Sequence, residues 1–585
     1  MEQINGILEP LFAFFERYPE ASGWYTNIIR WVMPLLALGI LIDVLRSLWK
    51  VKNPAETWAY ICPPDGEQIP VTHWENTLGR APSSDIVLDY PSISRSHATL
   101  IRDDEGNWEV TDLGSKVGTE INGAAVEEKA PLYPGDVLSL GGVELAFLPV
   151  PPEQKKRELA RRRAQSQPVS PWASLVILTL FQLLTVVQFV ASQGREINSQ
   201  IPLSFFGMCV VMWSYVLFLR AARRVGFEIE IIAFFLCTLS LAITSSSAPS
   251  TVLKQFFAIV LGLVLFLLLG WYLRDLRRAV KLRYLMGIAA VALFAVNLAI
   301  AGVSHGARNW ISVFGFSFQP SELIKVAFVY VGAATLDRLL TRRNLYGFIL
   351  FSGFCLVCLA AMRDFGTAAI FFVAFLVIAY LRSGDFATLS LICGGVAFAG
   401  MMVVRFKPYI ANRFAVWGHV WEDASGAGYQ QTRTMSAAAS GGLIGVGAGD
   451  GWLHNVAAAD TDLVFGMLCE EWGLIIALLA VCALVTLAVF AVRCTKAGRS
   501  SFYTIAACAA MSLLVFQSVL NIFGAVDLLP LTGVTLPFVS HGGSSMLSAW
   551  GLLAFLKAAD TRQNASFAIR LQSKRELGGE SDEED

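Results

Sequence analysis

The sequence predicts a polytopic all-α membrane protein, with about twelve core spans plus one amino-terminal span, that carries an all-β sandwich in the cytoplasm. Three observations carry this. The 585 residues are 55% hydrophobic and 16% charged, with a mean hydropathy of +0.55, whereas a soluble chain carries about 25% charged residues. The apolar residues gather into windows of about 20 with almost no charge, the length that crosses a bilayer as a helix. Residues 55–150 break that pattern with short alternating runs and turn signals, which read as antiparallel strands. A formal net charge of −1 gives no reason to expect nucleic acid as a partner. The 10 cysteines sit mostly singly in apolar stretches without zinc-finger spacing and read as small core residues.

The elements follow in chain order. In residues 1–50, "WVMPLLALGILIDVLRSLW" is long enough to span despite Asp43, with a tryptophan at each end. Arg46, Lys50 and Lys52 lie at and beyond its end, whereas residues 1–20 carry several glutamates. The positive-inside rule then puts the amino terminus outside and residue 50 onward in the cytoplasm. The opening "MEQINGILEPLFAFFERYPE" lacks the basic start, long apolar core and cleavage site of a secretory signal, so insertion is expected to rest on internal spans. Residues 55–150 form the sandwich, punctuated by "DDEGN", "INGA" and "YPGD". Residues 151–171 are a basic linker, suited to the anionic cytoplasmic face of the membrane. Residues 172–560 are nearly all membrane. Spans are expected near 172–192, 202–220, 226–246, 254–273, 283–302, 321–337, 345–362, 366–381, 386–404, 462–491, 502–523 and 541–558. The clusters "RAARR", "RDLRRAVKLR", "DRLLTRR" and "RCTKAGR" all follow even-numbered spans, on the side of the basic linker, and the long loop 405–461 falls outside. Residues 561–585 are an acidic cytoplasmic tail with the composition of a disordered segment.

Within the sandwich, "LGRAPSSDIVLDYPSISRSHATL" is followed by "DLGSKVGTEING". Through Gly79, Arg80, Ser94, Arg95, His97, Asp112, Ser115, Gly118, Thr119, Asn122 and Gly123 this pattern resembles the forkhead-associated (FHA) domain. The resemblance implies an eleven-strand sandwich that binds phosphothreonine. Such a group offers about two charges and three acceptor oxygens. Arg80 can supply a forked donor, Ser94 and Ser115 hydroxyls, and Arg95 a flanking charge. The resemblance casts His97 as a loop brace. Val117 stands where the family has an asparagine that holds the peptide backbone, so phosphothreonine binding and a pure docking role both stay open.

Five further motifs occur in order. They are "HGARNWISVFGFSFQPSELIKVAF" (305–328), "RDFGTA" (363–368), "GAGYQQTRTMSAAASGGLIGVGAGDG" (426–451), "DTDLVFGMLCEEWGLI" (460–475) and "LLPLTGVTLPFVSHGGSS" (528–545). Together they resemble the SEDS family of FtsW/RodA/SpoVE proteins. The resemblance implies a peptidoglycan glycosyltransferase that polymerises lipid II at the outer membrane face and releases undecaprenyl pyrophosphate. Three departures stand out: Arg308-Asn309 for a double arginine, His541 for a tyrosine, and "AAADTDL" for LPE-x-H-T-D-F, with Ala458 at the glutamate position.

A sugar hydroxyl needs a base as it attacks. The resemblance places the essential aspartate at Asp462, where the long loop enters the tenth core span; helix capping is the local alternative. A pyrophosphate calls for positive charge or backbone donors, for which Arg308, Lys325, Arg363 and Arg433 are candidates. Lys325, three residues after Glu322, equally fits a structural pair. Gln319, Ser321 and Glu322 suit sugar hydroxyls or orientation of the lysine. Pro530, Gly533, Pro537, Gly542 and Gly543 break the helix at membrane depth, which is tolerated only against protein or a wet cavity. That segment reads as a cavity wall to which Thr535, Ser540, Ser544 and Ser545 add hydroxyls, or else as a tight turn. No cluster demands a metal, although the resemblance allows a divalent cation (Mg or Mn) at the pyrophosphate. The implied partners are lipid II, the lipid-linked glycan strand, a class B penicillin-binding transpeptidase and a phosphothreonine protein or Ser/Thr kinase pathway. The implied setting is the bacterial cytoplasmic membrane. A lipid II translocase, with charges along a mid-bilayer path, and an inactive scaffold that recruits cell-wall synthesis partners are the alternatives.

Overall fold

The computed structural model describes residues 2–50, 56–165 and 169–566, apart from 83, 104–105, 128, 275, 305–306, 314–315, 337–341, 384–385, 407–410, 412–413, 496–499 and 563–564. The acidic tail from residue 567 lies outside the described residues.

Eleven strands build two facing sheets. One runs β2-β1-β11-β10-β7-β8, from β1 (Ala59–Cys62), β2 (Ile69–Val71), β7 (Thr119–Ile121), β8 (Ala124–Ala125), β10 (Val137–Leu140) and β11 (Val143–Pro149). The other runs β4-β3-β5-β6-β9, from β3 (Glu75–Gly79), β4 (Ile86–Val87), β5 (Ala98–Arg102), β6 (Trp108–Asp112) and β9 (Lys129–Leu132). The two-residue period decides which side chains turn inward. Ala98 and Leu100 of β5 and Trp108 and Val110 of β6 meet Leu138, Leu145 and Phe147 in a closed apolar core.

The rest is helical apart from a small three-stranded antiparallel sheet, Gly302–Ser304, Ala307–Val313 and Phe316–Phe318. Among the described residues, eight helices are long and apolar enough to cross a membrane, beginning with Pro19–Lys50, and three shorter apolar helices lie within 346–402. The chain is a multi-pass membrane protein with a β-sandwich near its amino terminus. Aromatic rings fill the helical core. Trp550 lies with its ring 5.6 Å from Phe234, 5.5 Å from Phe266 and 5.7 Å from Phe538. It fits because the facing residue is Gly262, where a Cβ would come within 2.6 Å of the indole.

The helix Glu228–Ser247 is buried over nearly its whole length and serves as a ruler. At its start, Glu228 accepts from Arg562 Nη1 and Nη2 at 2.8 and 2.9 Å, and Arg562 also pairs with Asp560 at 2.7 Å. Ser47 donates to the same Glu228 and accepts from Val169 N (3.0 Å), on the chain leaving the sandwich. At the helix's other end, Ser247 Oγ donates to Asp460 Oδ2 at 3.2 Å and Ser246 Oγ to Glu471 Oε2 at 2.6 Å. A helix of this length separates the two poles by roughly 28 Å. The sandwich sits at the Glu228 pole, where Glu75 of β3 accepts from the Ser500 and Ser501 hydroxyls at the start of the helix Ser501–Ala525. The Asp460–Asp462 loop sits at the other.

Candidate functional site

The loop that enters the helix at Val464 turns about one carbonyl. Ala458 O accepts from the N–H groups of Thr461 (3.3 Å), Asp462 (3.0 Å) and Leu463 (3.2 Å). Ala458 itself has φ +63°, a left-handed conformation that costs a residue with a Cβ. The carbonyls of residues 460–462 are tied down one by one. His541 N donates to Asp460 O (2.8 Å), Ser540 Oγ to Thr461 O (2.6 Å) and Asn521 Nδ2 to Asp462 O (2.9 Å).

Two of those three donors belong to the segment that breaks between the last two helices. Its residues 526–542 contain no helix, and Asp527, Gly533 and Phe538 have φ of 61°, 72° and 62°. Ser540 Oγ accepts from Leu536 N (2.8 Å), and Asn521 Nδ2 donates again to Val534 O (2.7 Å). A Cβ at Gly533 would stand 3.3 Å from Asp462 Oδ2. The half-buried Asp462 therefore lies against the bare backbone of the broken segment.

A buried chain of polar groups supports the wall from inside. Lys325 is 1% exposed, with Nζ 2.7 Å from Glu322 Oε1 and 2.8 Å from Gln517 Oε1. Gln517 Nε2 donates to Thr535 O (2.8 Å) and Oγ1 (2.9 Å), and Thr535 Oγ1 lies 2.7 Å from Ser545 Oγ. Glu322, Lys325, Thr535 and Ser545 thus join one network in which the lysine charge orients a glutamine. Sequence reasoning missed Gln517 and Asn521. Their signal was two amides at i and i+4, on one face of an otherwise apolar helix.

A second knot ties three helix starts together. Asp364 Oδ1 accepts from Thr367 N (3.0 Å) and caps the helix Phe365–Ser383. Its Oδ2 lies 3.2 Å from Asn309 Nδ2 and 3.4 Å from Gln319 Nε2. Gln319 N, at the start of the helix Pro320–Leu336, donates to Ser544 Oγ (3.0 Å) at the start of the helix Gly543–Ala559. The amino ends of three helices, each carrying a partial positive charge, meet here. Arg363 is exposed next to Asp364 with φ +62°. Ser321 is buried. Arg433 is exposed over the Tyr429 ring (5.2 Å), on the helix whose Gln430 donates to Ala457 O (3.0 Å). Arg308 lies on the strand Ala307–Val313, and its side chain is outside the described residues. Among the described residues, no three His, Cys, Asp or Glu side chains converge on a metal position.

In the sandwich, three loops meet at one edge. Arg80 N donates to Ser94 O (3.0 Å), and Ser94 Oγ accepts from Lys116 N (3.1 Å). The fully buried His97 braces them, with Nδ1 3.0 Å from Ser94 N and Nε2 3.0 Å from Gly118 O. Arg80 and Arg95 are exposed on this edge. Ser115 Oγ donates to Asp112 Oδ2 (2.8 Å) and accepts from Gly118 N (2.9 Å), so its hydroxyl is built into the turn. Burial raises the Asp112 pKa, but bonds from Thr119, Ser115 and Gly114 outweigh it and hold the carboxyl below its ordinary value.

Residues 225–565, more than half of the chain, match the FtsW/RodA/SpoVE cell cycle protein family. The chain belongs to this family. Residues 76–141 match the FHA domain. Among FtsW/RodA/SpoVE proteins it is similar to the peptidoglycan glycosyltransferase RodA of Mycobacterium tuberculosis (strain ATCC 25618 / H37Rv). The two are 30% identical over 325 residues, 52% of this chain and 69% of the relative. It is also similar to the probable peptidoglycan glycosyltransferase FtsW of Tolumonas auensis, at 33% over 285 residues, 47% of this chain and 74% of the relative. A chain from a solved peptidoglycan synthase complex aligns over 58% of this chain and 98% of its own length, at 26% identity and a TM-score of 0.48. An FHA domain solved for its phosphothreonine-dependent interactions aligns over 16% of this chain and 99% of its own length, at 28% identity and a TM-score of 0.15.

Proposed function

We propose that this chain is a peptidoglycan glycosyltransferase that polymerises lipid II at the outer face of the bacterial cytoplasmic membrane, with Asp462 as its base. The observation that carries the reading is the Asp462 carboxyl against the bare backbone at Gly533, at the pole opposite the sandwich. Asp462 takes the proton of an incoming GlcNAc 4-hydroxyl as the oxygen attacks C1 of the MurNAc that ends the lipid-linked strand. The bond from C1 to the pyrophosphate oxygen breaks, and undecaprenyl pyrophosphate leaves. One displacement turns the α-linked donor into a β-linked product. The three helix starts at Gln319, Asp364 and Ser544, with Arg363 beside them and Arg308 and Arg433 nearby in sequence motifs, favour the charge that develops on the leaving group. Lys325, Glu322, Thr535, Ser540 and Ser545 hold the wall, and Ser321, Gln319 and Ser544 offer polar groups to sugars.

The finer architecture is part of the same proposal. Residues 172–560 form the transferase bundle of about twelve spans, and residues 1–50 add one more. Residues 55–150 form an FHA domain in the cytoplasm that takes a phosphothreonine through Arg80, Ser94, Arg95 and the Ser115 turn, linked by residues 151–171. A Ser/Thr kinase pathway then recruits cell-wall synthesis, and a class B penicillin-binding transpeptidase cross-links the product. Purified protein supplied with lipid II tests the core claim. Glycan strands are expected from the wild type and none from Asp462→Asn at equal folding. Leaflet transfer without polymer would establish a translocase, and neither activity a scaffold. Deletion of residues 55–150 should mislocalise the protein while sparing polymerisation.

A further inference from the structure

Two of the chain's departures from its family pattern touch each other. His541 stands where the pattern has tyrosine. Aligning "DTDL" on H-T-D-F puts Asp460 where the pattern has histidine. In the structure His541 Nδ1 lies 2.8 Å from Asp460 Oδ2, and His541 N donates to Asp460 O at 2.8 Å. Side chain and backbone of one residue pair therefore clip the Asp462 loop to the end of the broken segment. Ser247 Oγ reaches the same carboxylate oxygen (3.2 Å), and Thr251 Oγ1 lies 3.4 Å from His541 Nε2. The two side chains are 25% and 20% exposed, so the contact is sheltered from solvent.

We infer that Asp460 and His541 are a positioning pair that sets the placement of Asp462 against Gly533, and that they act on the rate of the chemical step. The turn they hold has reason to need holding. Ala458 is left-handed without being glycine, and its single carbonyl takes three N–H bonds. A strained turn keeps its shape only when outside contacts over-determine it. Asp460 is two residues from Asp462, and the clip adds a side-chain to side-chain contact with the facing wall to the bonds that Ser540 and Asn521 make to the loop's carbonyls. Burial raises the Asp460 pKa, but the hydrogen bond and charge of His541 outweigh it and hold the carboxyl below its ordinary value. A carboxylate and an imidazole in this contact replace whatever a histidine and a tyrosine would provide, which accounts for the two departures occurring together.

The inference rests on Asp462 acting as the base, and its test has one arm that does not. His541→Ala, Asp460→Asn and the exchange Asp460→His/His541→Asp are made in the full chain and checked for folding by thermal stability. In lipid II polymerisation the single variants should lose 10- to 100-fold in kcat with KM within about twofold, the scale of a base displaced by a fraction of an ångström to one ångström. The exchange should recover most of that loss. In the second arm, carbodiimide labelling of Asp462 is followed by peptide mass spectrometry. The labelling rate should change at least threefold in His541→Ala and return towards wild type in the exchange. A raised KM at unchanged kcat, or an Asp462 labelling rate equal to wild type in both single variants, overturns the inference. A wild type that makes no polymer overturns the base assignment, while the labelling arm still decides whether the pair positions Asp462.

Discussion

Replacing Lys325 with methionine removes the cation that pairs with the buried Glu322. Glu322 and Lys325 have side-chain exposures of 7% and 1%, and the ammonium sits 2.7 Å from the carboxylate and 2.8 Å from Gln517 Oε1. Breaking a buried pair by removing one partner costs about 3–5 kcal/mol, because the surviving charge is left uncompensated. Removing both charges is milder. In Glu322→Leu/Lys325→Met the orphan is the neutral Gln517 Oε1, which costs about 1–3 kcal/mol. The double variant should therefore be more stable than either single, with a coupling energy above about 3 kcal/mol. The assay is thermal unfolding of detergent-solubilised protein for all four members of the cycle, with lipid II polymerisation measured on each. The two variants that lack Lys325 should also slow polymerisation, because Gln517 loses the group that aims it at Thr535. Additive destabilisation, or a double variant worse than both singles, would show that the pair is not a closed ionic contact and refute the reasoning.

Three more outcomes are expected. Asn521→Leu severs the bond that ties Asp462 O to Val534 O, and should lower kcat by about 10- to 100-fold with a stability loss of about 1–3 kcal/mol, read by polymerisation and thermal unfolding. Gly262→Ala pushes a methyl group to within 2.6 Å of Trp550 and should cost about 1–3 kcal/mol; a wild-type melting temperature would mean that this packing is looser than described. Asp112 has a folded pKa below its ordinary 3.8, so its bonds stabilise the sandwich above that pH and cease to do so as the pH falls through the folded value. Asp112→Asn should destabilise the sandwich at neutral pH, and the gap from wild type should close in acid unfolding below 3.8.

The sandwich was legible because its signals are local. Alternation in "HATLI" and turns at "YPGD" decide strand and face within a few residues. The membrane helices were legible for the same reason, since an apolar window declares itself without reference to the rest of the chain. The site was legible only in part. Asp462, Thr535, Ser540 and Lys325 stood out as polar groups in apolar or broken surroundings. What joins them did not, because contacts such as Gln517 to Thr535 or His541 to Asp460 depend on how helices distant in sequence are laid together. Ser115 shows the limit from the other side: its hydroxyl bonds to Asp112 and Gly118 N, an engagement that the sequence does not disclose.

The ion cluster at the sandwich pole bears on how the protein is made. Glu228 and the arginine that neutralises it are 334 residues apart. At a synthesis rate of about 5–20 residues per second, the acid waits roughly 20–70 s after entering the membrane for its counter-ion to leave the ribosome. Until then the third core helix carries a carboxyl whose partner is the Ser47 hydroxyl and which lacks its counter-ion. A premature stop between Ala559 and Arg562 therefore releases a chain with its last helix made and its keystone missing, a ready substrate for membrane proteases.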